Sequence, residues 1–230
     1  MGDSAILIRL GERIDASTHR RVRALCARLA EQPPPGLVEC GPAYASVAVI
    51  YDPAAVGAAG AEGGLSPCQR MLGRLERLLA DLDEQPLPED RRVEIPVCYG
   101  GDFGPDLEFV ARQSGLSPAE VVDLHVAGEY RVHMIGFSPG FAYMGPLANR
   151  LAAPRRDTPR LAVPAGSVGI TGQQTGVYPS QTPGGWQIIG RTPLELFQPA
   201  RTPPALLALG DRVRFRPIDP ARFGRWKVPT

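Results

Sequence analysis

The sequence predicts an α+β protein in two parts: a small N-terminal α+β sandwich over residues 1–88 and a C-terminal β-barrel over residues 89–230. Three observations predict this. Strand and helix periodicities alternate up to residue 83, and a Pro- and acid-rich segment, "EQPLPED", interrupts the chain at 84–90. Beyond residue 129 helical periodicity is lost, and short β-type runs alternate with Gly/Pro turns. With 230 residues, the chain is long enough to give both parts a hydrophobic core.

The N-terminal elements follow in order. "AILIRL" (5–10) is an apolar-rich strand. In "DASTHRRVRALCARLAEQ" Ser17 is expected to cap a helix whose apolar stripe is Val22, Leu25, Cys26 and Leu29. "PPPG" (33–36) ends that helix, and "YASVAVIYD" (44–52) is a β-branched, alternating second strand. "SPCQRMLGRLERLLADLD" places Ser66 as cap and Pro67 at the first helical position, with Met71, Leu72, Leu75, Leu78, Leu79 and Leu82 facing a core. Two helices against one small sheet is the economical packing.

In the second part "RRVEIPVCY" is a strand and "GPDLEFVARQSG" a short helix closed by Gly115. "SPAEVVDLHVAG" follows, with Ser117 and Glu120 forming a capping box around Pro118. The runs "YRVHMIGF", "RLAVPAGSVGITG", "GWQIIGRT" and "DRVRFRPI" are the expected barrel strands; "VGAAGAEGGL" (56–65) is expected as a surface insertion.

Composition excludes several functions. A net charge of +1 favours neither nucleic acid nor an anionic membrane as partner. No apolar run reaches the roughly 18 residues of a membrane span, and the acidic start "MGD" does not read as a secretory signal. The four cysteines, Cys26, Cys40, Cys68 and Cys98, lie far apart and are expected as reduced, mostly buried thiols of a cytoplasmic protein. Lys227 is the single lysine. A Walker P-loop is therefore absent, and covalently carried biotin or pyridoxal phosphate would have to use that one position. No two histidines stand at zinc spacing, so no metal is expected.

"GFSPG" (136–140) spells a nucleophile elbow, G-x-S-x-G. An elbow needs the backbone N–H after its serine for the oxyanion hole, and Pro139 has none. His19, His125 and His133 all precede Ser138, and "PGFAYMGP" is a poor helix start. The stretch is instead expected to be a turn in which Gly140 takes positive φ. Phe137, Phe141 and Tyr143 crowd this turn as core plugs or as the lining of a groove, and the groove is the preferred reading.

The segment "VPAGSVGITGQQTGVYPSQTPGGWQIIGRTPLELF" (163–197) supplies glycine-rich turns with Gln173, Gln174, Tyr178, Trp186 and Arg191. Arg191 follows an apolar strand and precedes a threonine-proline pair, which makes it the best candidate for a carboxylate or phosphate contact. Arg155, Arg156 and Arg160 lie in "APRRDTPR", read as a solvated basic loop. His125 ends a short helix, where a cation would suit the dipole, although a cap or core role is more frequent for such a residue. His133 alternates with Arg131 and is expected to be exposed.

"GFSPGFAYMGPL", "PRLAVPAGSVGITGQQTGVYPSQTPGGWQIIGRTPL" and "LGDRVRFRPI" resemble the family of the 5-oxoprolinase B subunit, also labelled allophanate hydrolase subunit 1 and kinase A inhibitor. "GDSAILIRLGERID", "YASVAVIYDP" and "IPVCYGGDFGPDLEFVA" extend the resemblance over nearly the whole chain. It implies a cyclophilin-like barrel. It also implies partnership with a larger, homologous C subunit and with an A subunit, which together open 5-oxo-L-proline to L-glutamate with ATP and Mg2+ as co-substrate. Its GF-x-PGF pattern leaves the Ser138 position variable. The residues read as lining the groove are Phe137, Pro139, Phe141, Tyr143, Arg160, Gln174, Tyr178, Trp186 and Arg191, with His125 and Arg191 as the catalytic candidates. The rival readings are a binding module that inhibits a sporulation-type sensor histidine kinase, and an allophanate hydrolase or urea carboxylase-like component.

Overall fold

The computed structural model describes residues 4–13, 15–58, 64–84 and 86–226; Lys227 and residues 59–63 of the expected surface insertion lie outside the described residues. The chain divides into two compact units, Met1–Glu89 and Asp90–Thr230.

In the first unit, β1 (Ala5–Arg9), β2 (Leu37–Pro42) and β3 (Ser46–Tyr51) form an antiparallel sheet ordered β1-β3-β2. Alternation along β3 buries Val47, Val49 and Tyr51. With them are buried Val22, Leu25 and Leu29 of α1 (Ala16–Glu31) and Met71 and Leu75 of α3 (Pro67–Leu79). The short α2 (Pro53–Ala58) links sheet to α3. Strand β2 and helix α2 have no counterpart among the sequence-based expectations. β2 carries glycine and proline in "LVECGP" and α2 is one and a half turns long, so neither shows a clear period.

Three expectations change here. The cap of α1 is Asp15, whose carboxylate accepts the Thr18 N–H at 2.8 Å; Ser17, the expected cap, spends its hydroxyl donating to the same carboxylate. Leu72 is 40% exposed and stands outside the stripe that buries Met71 and Leu75. Cys98 is buried, but Cys26, Cys40 and Cys68 are only half-buried. Ser66 and Pro67 begin α3 as expected, in a capping box completed by Gln69.

The second unit begins with β4 (Arg92–Tyr99), α4 (Leu107–Ser114) and α5 (Pro118–Ala127). Then come β5 (Tyr130–Ile135), β6 (Ala142–Gly145), β7 (Arg160–Val163), β8 (Ser167–Thr171) and β9 (Gln174–Val177). The last elements are β10 (Thr182–Gly184), β11 (Gln187–Arg191), β12 (Arg212–Pro217) and α6 (Pro220–Gly224). Seven strands close a barrel in the order β11-β4-β12-β5-β6-β9-β8, and β7 and β10 form a separate ribbon. Parallel pairing of β12 with β4, Val213 opposite Val93 and Phe215 opposite Ile95, joins the two ends of the unit. Ile95, Val97, Val132, Met144, Val168, Ile170, Val177, Ile189 and Val213 belong to its main core. Gly115 closes α4 in the left-handed region at φ 63°, and the Ser117–Glu120 box opens α5.

Candidate functional site

The turn at 136–141 joins β5 to β6, strand to strand rather than strand to helix. Gly140 has φ 82°, and a Cβ there would come within 2.9 Å of the Phe197 Cβ. Phe137 has φ 69°, the one non-glycine residue with positive φ among those described. The Ser138 N–H donates to the Gly136 carbonyl at 2.9 Å, giving a three-residue γ-turn centred on Phe137, and the Phe141 N–H donates to the Ser138 carbonyl at 3.0 Å. The Ser138 Oγ is buried and makes no hydrogen bond. A serine whose hydroxyl meets no base, followed by a proline, is not organised as a nucleophile.

The aromatic residues do not line one groove. Val168 and Ile170 point into the barrel, so Gly169 between them points outward, as does its cross-strand partner Gly176. The two missing side chains leave a shelf on the outer wall. Phe141, Tyr178, Trp186 and Ile188 fill it and pack with Val163 of the β7–β10 ribbon, forming a second core. The Phe141 ring meets Tyr178, Trp186 and Tyr143 edge-on, at centroid distances of 5.1, 5.5 and 4.8 Å. Phe141, Tyr178 and Trp186 are therefore plugs, a correction to the groove expectation. Tyr143 is half-buried at the edge, and Phe137 is 63% exposed. Pro139 is exposed on the same turn.

The basic loop is also different from its expectation. Asp106, just before α4, is buried, and its carboxylate accepts Arg156 Nη1 at 3.0 Å and both Nη atoms of Arg160 at 2.7 and 2.8 Å. The Ile188 N–H adds a further bond at 2.7 Å, while the Asp106 N–H donates to the Ile188 carbonyl. Arg156 and Arg160 thus fasten the ribbon to the barrel wall instead of standing in solvent. The hydrogen bond to Asp106 holds the Arg160 guanidinium above its usual pKa. Asp106 escaped the sequence reading because it lies 50 residues from Arg156, and nothing local couples them.

Arg155, exposed beside this clamp, pairs with no carboxylate among the described residues. Its charge acts on both the Tyr143 and Tyr178 hydroxyls, opposing the rise that burial imposes on their pKa values. Arg191, half-buried at the end of β11, donates from Nε to the Ala165 carbonyl at 2.8 Å and likewise has no carboxylate partner among the described residues. Gln174 opens β9 opposite Thr171, at the far end of that strand from Tyr178 and roughly 13 Å away along it. It does not share the site.

His125 lies wholly inside the barrel. Its Nδ1 is 2.8 Å from the Tyr99 hydroxyl and its Nε2 3.0 Å from Thr175 Oγ1, while the ring stacks on Phe215 at 4.5 Å. Thr175 Oγ1 donates to the Gly169 carbonyl at 3.2 Å, which leaves its lone pairs for an Nε2–H and makes Nδ1 the acceptor from Tyr99. Burial depresses the imidazole pKa to about 3, so the ring is neutral and serves the core, not the helix dipole. His133 is half-buried, not exposed, and burial and Arg131 lower its pKa. Among the described residues no group of three His, Cys, Asp or Glu side chains is placed to hold a metal ion.

What remains at the surface is a patch of the outer barrel wall: the Phe137 ring on its turn, the edge of Tyr143, and Arg155 beside the Asp106 clamp. Comparison with known proteins gives this patch a family context. Residues 1–207 match the family model for the carboxyltransferase domain, subdomain C and D. The chain is 50% identical over 227 residues to the 5-oxoprolinase B subunit of Bacillus subtilis (strain 168), covering 99% of this chain and 95% of that protein. The chain belongs to the 5-oxoprolinase B-subunit family. The corresponding B subunit of Escherichia coli O157:H7 is 45% identical over 219 residues, 94% of each chain. Among solved structures, TTHA0988 superposes with a TM-score of 0.79 at 37% identity over 94% of this chain, which spans only 40% of that longer one. Family membership agrees with the α+β barrel architecture described above and with a role inside a multi-subunit hydrolase.

Proposed function

We propose that this chain is the B subunit of an ATP-dependent 5-oxoprolinase, inactive or nearly so alone. It acts with the A and C subunits to open 5-oxo-L-proline to L-glutamate. Identity of 50% across 99% of the chain to a protein of that name, of nearly equal length, carries this reading. The chemistry is consistent with it. A five-membered lactam is a stable amide, so direct hydrolysis is unfavourable; transfer of the ATP γ-phosphoryl group to the amide oxygen makes the carbonyl carbon electrophilic. Water adds there, the ring C–N bond breaks with the nitrogen leaving as the amine, and a second water hydrolyses the acyl phosphate so formed to release phosphate. Both the substrate carboxylate and the nucleotide phosphates are anions. Arg155 and Arg191 are cations left without carboxylate partners among the described residues, so they are our candidates for those contacts. Arg160 is not, because Asp106 already binds both of its terminal nitrogens.

The exposed Phe137 ring suits a protein contact, and we assign that contact to the C subunit. Mg2+ enters with the nucleotide in this reading, and the assembly is cytoplasmic. The test is to co-purify the three subunits and measure ATP hydrolysis with and without 5-oxoproline. Stimulation by 5-oxoproline, reduced at least tenfold in Arg155→Ala, is expected. An assembled complex whose ATP hydrolysis ignores 5-oxoproline overturns the assignment.

A further inference from the structure

Two of the half-buried thiols meet across the first unit. Cys40 pairs with Val49 in the β2–β3 register, and cross-strand partners share a face of the sheet. Val49 is fully buried on the face that α1 covers. Cys40 therefore points towards α1 from an edge strand. Cys26 sits on α1 beside Leu25 and on the face carrying Val22 and Leu29, the residues that α1 buries. The two thiols therefore face each other closely enough to interact.

That contact divides their chemistry. The Cys26 S–H stabilises a thiolate on Cys40 and holds its pKa at about 7, while the same interaction and burial push Cys26 upward. Glu39, next to Cys40, works in the opposite direction without reversing the result. The other two cysteines lack this arrangement. Cys98 is buried in β4 and its thiol is pushed up, and Cys68 is in the first turn of α3. A thiolate that is only half-buried, with a second thiol in contact, has the features of an oxidisable cysteine with its resolving partner.

We propose that Cys26 and Cys40 form a hydroperoxide-responsive dithiol site that closes to a disulfide joining α1 to β2. The Cys40 thiolate attacks the terminal oxygen of the hydroperoxide; the O–O bond breaks, an alcohol (or water) leaves with one proton, and Cys40 becomes a sulfenic acid. The Cys26 sulfur then attacks the Cys40 sulfur, the S–O bond breaks, and water leaves with the Cys26 proton. Two thiols are oxidised by two electrons and one hydroperoxide is reduced. A dithiol reductant reverses the reaction by exchange.

The experiment uses the full-length chain treated with hydrogen peroxide, alkylated, and mapped by peptide mass spectrometry under non-reducing conditions. The expected result is the loss of two of the four free thiols, with a Cys26–Cys40 cross-linked peptide that dithiothreitol removes. Cys40→Ser should abolish the bridge and Cys68→Ser should leave it. The wild-type map decides even if a variant fails to fold. Full alkylation of all thiols after peroxide, or a bridge joining any other pair, overturns the proposal.

Discussion

Gly169 of β8 and Gly176 of β9 are cross-strand partners on the outside of the barrel, and Phe141, Tyr178, Trp186 and Ile188 occupy the space their side chains would fill. A Cβ on Gly176 would lie 3.0 Å from Phe141 Cζ and 3.1 Å from Trp186 Cζ3. The second core of this unit thus exists because two residues have no side chain. Gly176→Val should overpack it and cost about 1–3 kcal/mol of stability. Urea unfolding checks this, and an unchanged midpoint would count against the shelf.

Asp106 is the one acidic group holding both Arg156 and Arg160 to the barrel wall. Asp106→Ala leaves two guanidinium groups and the Ile188 N–H without their acceptor. Breaking a buried pair costs about 3–5 kcal/mol. Both arginines keep partial solvent contact, at 34% and 24% side-chain exposure, so we expect a smaller loss here, about 2–3 kcal/mol. Chemical denaturation measures it.

His125 gives the protein a defined acid sensitivity. Its folded pKa, about 3, lies below the unfolded value of 6.5. The unfolded state therefore binds the extra proton between those values, and the stabilisation present at neutral pH is lost as pH falls through that window. The slope from this one group approaches about 1.4 kcal/mol per pH unit. His125→Gln should be less stable at pH 7 but show a flatter decline between about pH 6 and 4. Parallel curves for variant and wild type would contradict the buried neutral imidazole.

Ser138→Ala removes a buried hydroxyl that makes no hydrogen bond. Stability should stay within about 0.5 kcal/mol of wild type or rise slightly. Turnover of the assembled enzyme should not change. A loss of more than tenfold in kcat with the fold intact would restore the nucleophile reading of "GFSPG".

Phe137 holds a conformation that costs a non-glycine residue about 1 kcal/mol, and its ring is mostly exposed. Phe137→Gly relieves the first and deletes the second. Its stability should remain within about 1 kcal/mol of wild type while its binding to the C subunit weakens at least tenfold. Titration calorimetry of the two proteins would show this, and unaltered affinity would remove Phe137 from the interface.

The features legible in the sequence were those decided within a few residues. Ser66 with Gln69, Ser117 with Glu120, Gly115 past α4 and Gly140 in its turn all act through hydrogen bonds or φ angles set by near neighbours. Five of the seven barrel strands, β4, β5, β8, β11 and β12, were legible because β-type runs and Gly/Pro turns punctuate them; β6 and β9 are four residues each, too short and glycine-containing to show a period. The site was legible as a set of residue types but not as an arrangement. Rings that suit a groove suit a core equally well, and burial is a property of what packs above them. The Cys26–Cys40 contact was hidden for the same reason, since helix and strand periods say nothing about which positions meet.

The sequence by itself determined much of the local grammar: the caps of α3 and α5, the turn at Gly140, most of the barrel strands and the rejection of an elbow at Pro139, which has no N–H to give. Only the tertiary structure decided which surfaces were used up. Barrel closure pairs β4 with β12, more than a hundred residues apart. The same fold brings Asp106 under Arg156 and Arg160 and turns Gly169 and Gly176 outward beneath the rings. Such contacts depend on chain segments meeting after distant strands have paired, and that geometry is not encoded in any local spacing.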